Sequence, residues 1–351
     1  MAIAFRVFGE LTTGEKVHAW TLTNFSGAHV EILTYGGIVR VLRIPDRSGR
    51  FDDVVLGFDR LDAYLGAHPY FGAIIGRIAG RVTKGRLMVD GRRWTLPCNE
   101  GENHLHGGHR GFDRRLWAAE PIAREDGSPS VSLSYRSADG EEGYPGGLDV
   151  RATYTLTSDN QLIFETDAES DVATPASLTQ HMYFNLRGEG SGSVLGHEIQ
   201  IFASEYIETD DNFTLSDRRR SVFGTGADLT APRVLGDALD HIFKRHGDTY
   251  LLHPQGVQNP TIPVRAARIF EPESGRNLEV LTDDSCLQFY SGVGLDGTHV
   301  GKSGRVYGRH AGLCLECQGY ANASGLQGFA DIVVRPGTPQ RRRTVYRFST
   351  A

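Results

Sequence analysis

The stretch SLTQHMYFNLRG, residues 177–188, places polar side chains inside an apolar run that is typical of a β-strand. Because the side chains of a strand point alternately to its two faces, this stretch has an apolar face and a polar face. The apolar face carries Met182, Phe184 and Leu186, and the polar face carries His181, Tyr183 and Asn185. Three hydrogen-bonding groups in a row predict the floor of a polar site. The alternative is a buried histidine that is bonded to a neighbouring carbonyl.

A second candidate is Glu316, which lies in the alternating stretch GLCLECQG. Cys314, Glu316 and Gln318 share one face of this predicted strand, and Cys317 lies on the opposite face. A carboxylate in the middle of an apolar strand must be paired, solvated by a cleft or functional. The two cysteines point away from each other, so they cannot easily share a metal ion or form a disulfide.

A third candidate is the segment NHLHGG, residues 103–108, in which His104 and His106 precede a glycine turn. Two histidines at this spacing share a strand face and could bind a metal ion. A metal site would need a third ligand, and the sequence contains neither an HExxH motif nor a second paired cluster. We therefore expect His106 to work without a metal.

The segment GRIAGRV, residues 76–82, superficially resembles a phosphate-binding glycine loop. It lacks both the lysine followed by serine or threonine of a P-loop and the spacing of a dinucleotide fingerprint, so it predicts no nucleotide site. Arg77 and Arg81 remain candidate cations that face a ligand. The alternative is that both are surface arginines.

These candidates offer proton chemistry by a base and an acid on either side of a small ligand. The residues concerned are His181, His106, Glu316, Arg81, Asp240 and His241. The sequence shows no cofactor loop, no convincing metal set and no nucleophile elbow, and we predict no cofactor. Aromatic and multidentate polar residues around such a site suit a hydroxyl-rich substrate such as a sugar.

The elements that must position these residues are short, alternating strands. The clearest are residues 131–136, 150–156, 162–166, 197–202, 278–282 and 287–291. Many short strands and almost no helical periodicity predict an all-β, antiparallel fold, either a sandwich or a barrel. Since no linker or repeat interrupts the pattern, we expect residues 1–351 to form a single domain.

Two local elements can be predicted from the known preferences of turn and helix-capping residues. Residues 87–96 read as a β-hairpin, because Asp90-Gly91 accepts the positive φ angles that a two-residue turn demands. Residues 59–65 read as a short helix with Asp59 as its N-cap.

Composition excludes several classes of partner. The chain has 37 Lys and Arg against 43 Asp and Glu, which gives a net charge of -6, so nucleic acid is not an expected partner. No apolar stretch is long enough to span a bilayer, and we expect a soluble, cytoplasmic protein that does not bind membranes. Four cysteines in 351 residues argue against a disulfide scaffold.

Eight motifs together resemble the aldose 1-epimerase, or galactose mutarotase, family. They occur in the family's order and span most of the chain: GRIAGRV (76–82), NHLHGG (103–108), RGFDRRLW (110–117), EEGYPG (141–146), SLTQHMYFNL (177–186), LDHIF (239–243), LQFYSGVGLDG (287–297) and LCLECQ (313–318). The resemblance implies a large antiparallel β-sandwich without metal or cofactor. It also implies that the substrate is a free hexose, such as galactose or glucose, whose α and β anomers are interconverted.

The resemblance also assigns roles to residues. It implies that Glu316 is the general base that takes the C1 hydroxyl proton, and that His181 is the general acid that protonates the ring oxygen. His106 either helps to polarise the ring oxygen or binds the sugar. The implied substrate-binding residues are Arg81, His106, Tyr183, Asp240 and Gln288.

The chain departs from the family at three single positions and in the segment after Gln318, GYANASGLQGFAD, which lacks the family's usual prolines. Gly80 and Ile242 stand where asparagine is common, and Gln180 stands where asparagine often precedes the catalytic histidine. We expect the change at Gly80 to remove a contact with a sugar hydroxyl. Two other functions stay open: a relative that acts on a phosphorylated hexose through cations such as Arg77 and the run 218–220, and a non-catalytic sugar-binding sandwich. The expected assembly is a monomer or a homodimer.

Overall fold

The computed structural model describes residues 1–253, 262–322 and 332–351. Within these residues the chain forms 28 β-strands, two α-helices and four short 3-10 helices. The strands are β1 (Ala2–Glu10), β2 (Lys16–Thr23), β3 (His29–Leu33), β4 (Val39–Pro45), β5 (Phe51–Asp53), β6 (Ile74–Ile75), β7 (Arg81–Val82), β8 (Arg86–Val89), β9 (Arg92–Thr95), β10 (His104–Leu105), β11 (Ala118–Ile122), β12 (Ser130–Ser137), β13 (Leu148–Leu156), β14 (Gln161–Ser170), β15 (Thr174–Pro175), β16 (Thr179–Gln180), β17 (Tyr183–Phe184), β18 (Glu198–Ile201), β19 (Glu205–Thr209), β20 (Leu215–Ser221), β21 (Arg233–Val234), β22 (Thr249–Leu251), β23 (Val264–Phe270), β24 (Arg276–Thr282), β25 (Cys286–Tyr290), β26 (Leu313–Gln318), β27 (Val333–Val334) and β28 (Gln340–Thr350). The α-helices are α1 (Leu61–Leu65) and α2 (Leu235–Leu239), and the 3-10 helices are Thr83–Gly85, Phe112–Arg114, Glu141–Gly143 and Phe243–Arg245.

Three large antiparallel sheets dominate the structure. A five-stranded sheet has the order β1-β2-β3-β4-β5, and a nine-stranded sheet has the order β11-β12-β13-β14-β28-β24-β23-β18-β21. A six-stranded sheet has the order β17-β26-β25-β22-β19-β20. The largest buried cluster takes side chains from all three sheets, as expected for sheets packed face to face. The predicted all-β, antiparallel sandwich is confirmed.

Strand β26 shows how hydrophobic patterning fixes the position of the candidate base. Leu313, Leu315 and Cys317 point into the large core, whereas Cys314 belongs to a second cluster on the other face. Burying a leucine contributes about 1.5–3 kcal/mol, and a slip of one residue would bring Glu316 into the core instead. The register of β26 is therefore strongly specified, and the two cysteines lie on opposite faces, as predicted.

The two local predictions have different outcomes. Strands β8 and β9 form the predicted hairpin, with φ of 47° at Asp90 and 77° at Gly91. The helix predicted over residues 59–65 is present as α1, but the prediction that Asp59 caps it is wrong. Its N-cap is Arg60, which makes no capping hydrogen bond, because the carboxylate of Asp59 instead pairs with Arg40 at 3.1 Å.

Among the described residues, neither α-helix has the length and apolar character that crossing a bilayer would require.

Candidate active site

The site is built on one edge of the six-stranded sheet, where β26 lies between β17 and β25. Glu316 on β26 stands directly opposite Gln288 on β25, and Cys314 stands opposite Tyr183 on β17. Cross-strand partners in an antiparallel pair point to the same face, so these four side chains share the face that lies away from the large core. Three of them, Glu316, Gln288 and Tyr183, are site residues predicted from the sequence.

His181 reaches the same face from the segment just before β17. Its backbone N–H donates to the carbonyl of Ala73 and its own carbonyl accepts the N–H of Gly72, both at 2.9 Å, which holds the residue against the loop that precedes β6. Nε2 of its ring lies 3.7 Å from Oε2 of Glu316, and both side chains are almost fully buried. The structure therefore brings the predicted acid and base together.

His106 enters from the two-stranded sheet of β7 and β10, in which Leu105 pairs with Arg81. The turn that follows His106 requires glycine. Gly107 has φ of +90°, and a Cβ there would lie 1.8 Å from the carbonyl oxygen of Gly76. The backbone N–H of Gly80 donates to Nδ1 of His106 at 3.1 Å. Since a backbone N–H can only donate, Nδ1 must accept, and the neutral ring carries its proton on Nε2.

Aromatic rings enclose the two histidines. The ring of Tyr70 lies 4.8 Å from that of His106 and 5.8 Å from that of His181, centroid to centroid. The ring of Tyr183 stacks on His181 at 5.2 Å, and the two histidine rings meet edge to face at 5.3 Å. Tyr70 was missed in the sequence, because it lies in an irregular loop with φ of 59° and no periodic pattern marks it.

Burial moves the pKa values of the acid and the base toward their neutral forms. It raises the pKa of Glu316 from 4.5 to about 8, although the nearby Arg81 guanidinium opposes this change. It lowers the pKa of His181 from 6.5 to about 4. Burial and the proximity of His181 also lower the pKa of His106 well below its ordinary value. At neutral pH Glu316 is therefore protonated and both histidines are neutral.

The two candidate arginines have different roles. Arg81 forms a bidentate ion pair with Glu100, with both N···O distances at 2.6 Å, and this pair lies close enough to the site to act on Glu316. Arg77 is buried and donates to the carbonyls of Ser137, Ala138 and Pro145, so it holds a loop in place rather than facing a ligand. Nothing in the sequence marks Glu100 as the partner of Arg81.

Gln288 is held in a defined orientation by its neighbours. Its Oε1 accepts a hydrogen bond from the hydroxyl of Thr249, which stands opposite it on β22, and its Nε2 donates to the carbonyl of Phe289 at 2.6 Å. Thr249 was not singled out in the sequence. It thus adds a hydroxyl to the row formed by Gln288 and Glu316.

Two predicted polar residues have structural roles instead. Asn185 is fully buried, and its amide donates to the carbonyls of Gly192 and Ala311 at 2.9 and 3.0 Å. The prediction that it belongs to the floor of the site is wrong, because both of its amide hydrogens are used in holding the chain after β17. His104 bonds to the carbonyl of Pro97 and the hydroxyl of Tyr144, so it does not join His106.

Asp240, a predicted sugar ligand, lies at the protein surface. It follows α2 directly, its side chain is 61% exposed, and it pairs with Arg245 at 2.7 Å. Eight residues later, Asp248 is buried immediately before β22, beside the strand that carries Gln288, and its backbone carbonyl accepts the N–H of Phe289. Burial raises the pKa of Asp248 to about 6. The carboxylate of Asp240 is therefore accessible to a ligand, whereas Asp248 lies beside Tyr250, on the side of the chain away from Gln288.

The three single-residue departures from the family have clear local explanations, and residues 323–331 of the segment after Gln318 lie outside the described residues. Gly80 has φ of +82°, and a Cβ there would meet Nε2 of Gln318 at 3.2 Å. The amide of Gln180 points away from the site and donates to the hydroxyl of Tyr154 at 2.6 Å. Ile242 is buried in the large core.

The cluster of His106, His181 and Glu316 also raises the question of a metal ion, because their ligand atoms lie within 4.8 Å of one another. A histidine that binds a metal normally donates its other ring N–H to an acceptor. His106 does the reverse, since its Nδ1 accepts from Gly80 and its site-facing Nε2 carries the proton. This donor set suits an oxygen of a neutral ligand better than a cation.

A buried carboxyl and a buried imidazole with oppositely shifted pKa values, carried on an antiparallel sandwich, define an acid–base enzyme for a small polar substrate. The chain belongs to the aldose 1-epimerase family, whose pattern matches residues 18–347. It is therefore an isomerase of the aldose epimerase class, as the sequence resemblance implies.

Individual relatives agree with this assignment. The chain is 40% identical to the galactose mutarotase of Rattus norvegicus over 351 residues, which is 100% of both chains. It is 32% identical to the aldose 1-epimerase of Escherichia coli K12, over 95% of this chain and 96% of that one. Among solved structures, a GalM/aldose epimerase homologue from C. elegans superposes with a TM-score of 0.84 at 31% identity, covering 94% of this chain and 98% of that one.

Proposed function

We propose that this protein interconverts the α and β anomers of a free hexose such as galactose or glucose, with Glu316 as general base and His181 as general acid. The observation that carries the proposal is the buried pair itself, with Nε2 and Oε2 3.7 Å apart and pKa values moved in opposite directions. Such a pair can exchange a proton with a ligand at two positions without changing its total charge.

The reaction balances within this pair. Ionised Glu316 takes the proton of the C1 hydroxyl, C1 and O1 form a double bond, and the bond between C1 and the ring oxygen breaks. The ring oxygen takes the proton from Nε2 of His181. Rotation about the C1–C2 bond and closure on the other carbonyl face then return both protons by the reverse path. The enzyme carries one proton on the pair at each stage, first on His181 and then on Glu316.

The remaining residues bind and orient the sugar. The Nε2–H of His106 is a fixed donor for a sugar oxygen, because Gly80 occupies its Nδ1. Arg81 favours the ionised form of Glu316 and offers donors to a hydroxyl. The amide of Gln288 and the ring of Tyr183 complete the wall next to Glu316 and His181. We assign the further sugar-binding carboxylate to Asp240, because its side chain is exposed and the family resemblance gives it that role.

A free hexose fits these charges better than a phosphorylated one. A phosphate would need cations that are available for charge-assisted hydrogen bonds. Arg77 is buried and bonded to carbonyls, and Arg81 is paired with Glu100. Arg218 and Arg220 both pair with Glu208, at 2.9 and 3.5 Å.

Polarimetry tests the proposal. Fresh α-D-galactose, α-D-glucose and α-D-glucose 6-phosphate are followed to anomeric equilibrium with and without enzyme, and the spontaneous rate is subtracted. We expect acceleration with the two free sugars and little or none with the phosphate ester. Acceleration of the phosphate ester alone would favour the phosphosugar function, and no acceleration from folded protein would favour a sugar-binding module.

Our proposals on domain organisation, location and assembly rest on the sequence. We propose a single domain over residues 1–351, a cytoplasmic location, and a monomer or homodimer that needs no nucleic acid, membrane or cofactor. The match to the family over residues 18–347 supports a single domain.

A further inference from the structure

The neighbour of His181 on the side away from Glu316 is a cysteine. Sγ of Cys314 lies 3.6 Å from Nδ1 of His181, and both side chains are buried. Cys314 also stands opposite Tyr183 in the register of β26 and β17, so the thiol, the tyrosine and the imidazole form one contact group. The acid–base chemistry described above gives the thiol no role of its own.

We propose that Cys314 is a positioning residue whose sulfur accepts the Nδ1–H of His181 and thereby keeps Nε2 directed at the ligand as the exchanging nitrogen. The inference rests on the proposed roles of His181 and Glu316. In that cycle Nε2 gives and regains a proton while Nδ1 stays protonated throughout, so Nδ1 needs a permanent acceptor. The sulfur of a thiol is a weak hydrogen-bond acceptor and is the side-chain contact that the structure places at Nδ1.

A thiol suits this position because it carries no charge. Burial and the nearby Glu316 carboxyl raise the pKa of Cys314 well above its ordinary value, so the group stays neutral. A carboxylate in its place would favour the charged imidazolium and would repel ionised Glu316. A neutral acceptor orients the ring and leaves the single proton able to move between His181 and Glu316.

The position of Glu316 relative to His181 is consistent with this tautomer. When Glu316 is protonated, its hydroxyl can face only a nitrogen with a lone pair, and Nε2 is the nitrogen that lies 3.7 Å away. The neutral ring then carries its proton on Nδ1, which faces Cys314. His106 has the opposite tautomer, so the two histidines present one acceptor and one donor to the ligand.

The test combines a spectroscopic readout with kinetics in four proteins: wild type, Cys314→Ala, Cys314→Ser and Cys317→Ala. Cys317 is the matched control, because it is a buried cysteine on the same strand whose side chain faces the opposite core. Protein labelled with ¹⁵N-histidine reports the tautomer of each neutral imidazole by NMR, and a His181→Gln sample identifies the His181 signals. Polarimetry gives kcat and KM.

We expect the Nδ1–H tautomer of His181 in the wild type, a mixture of tautomers in Cys314→Ala, and recovery in Cys314→Ser, whose hydroxyl oxygen can also accept. The kcat of Cys314→Ala should fall about 10- to 100-fold with KM within about twofold, by analogy with the groups that orient metal-bound histidines. Cys317→Ala should match the wild type in both readouts.

Three results would overturn the proposal: a wild-type His181 with its proton on Nε2, an unchanged tautomer in Cys314→Ala, or an equal loss of kcat in Cys317→Ala. The NMR readout does not depend on turnover. A wild type without mutarotase activity would therefore count against the proposed function, while the tautomer would still decide the role of Cys314.

Discussion

Replacing Glu316 by glutamine should stabilise the fold at alkaline pH, because a buried carboxyl is costly to ionise. The pKa of Glu316 is raised to about 8 in the folded protein, against 4.5 without burial. One pKa unit corresponds to about 1.36 kcal/mol, so ionising this group in the folded protein costs about 5 kcal/mol more than in water. Glutamine has nearly the same shape and cannot ionise.

The sign follows from proton binding. Between pH 4.5 and pH 8 the unfolded chain releases the proton of Glu316 while the folded protein keeps it, so rising pH favours unfolding. The stability that Glu316 contributes is complete below about pH 4.5 and is lost as the pH rises through 8. The Glu316→Gln variant does not lose this stability. The difference between its free energy of unfolding and that of the wild type should therefore grow by about 4 kcal/mol between pH 5 and pH 9.

Urea unfolding at pH 5, 7 and 9 measures the difference in the free energy of unfolding. Glu120→Gln is the matched control, because Glu120 is exposed on β11. The free energy of unfolding of Glu120→Gln should stay within about 0.5 kcal/mol of the wild-type value at every pH. If the gain in the free energy of unfolding of Glu316→Gln over the wild type is independent of pH, or larger at pH 5 than at pH 9, the assignment of a raised pKa to this carboxyl is refuted.

Three further predictions concern catalysis. The pH profile of kcat/KM should be bell-shaped with limbs near 4 and 8, because the working pair of Glu316 and His181 carries one proton only between these values; a rate that still rises at pH 9 would contradict this. Arg81→Gln should raise KM and move the upper limb to higher pH, because the guanidinium favours ionised Glu316, and an unmoved limb would argue against that coupling. Asp240→Asn should raise KM about tenfold, the range for a hydrogen bond to a charged group, while Asp248→Asn should change KM less than about twofold; the reverse order would assign the sugar contact to Asp248.

Much of the site could be predicted because period-two alternation in the sequence shows which side chains share one face of a strand. Alternation in LCLECQ places Glu316 opposite the core side of its strand, and the same argument puts His181 and Tyr183 on the polar side of theirs. Asn185 obeys the same alternation, yet its amide is used by backbone carbonyls that only the folded chain brings near. Periodicity thus predicts the face of the strand on which a side chain lies, but not its hydrogen-bond partners.

The remaining parts of the site depend on loops and on contacts distant in sequence. Tyr70 and the ion pair between Arg81 and Glu100 lie in irregular segments, where no repeating pattern constrains the side chains. The motif LDHIF predicts Asp240 as a sugar ligand, but its position directly after α2 and its ion pair with Arg245 are visible only in the folded chain.

The most direct test of the proposed chemistry is the rate of anomer exchange at equilibrium. NMR exchange spectroscopy on D-galactose or D-glucose measures interconversion of the α and β signals without any net reaction. We expect the wild type to accelerate exchange, and Glu316→Gln and His181→Asn each to lower kcat by about 10²–10⁴-fold while remaining folded. A folded Glu316→Gln or His181→Asn variant that exchanges the anomers as fast as the wild type would contradict the acid–base pair.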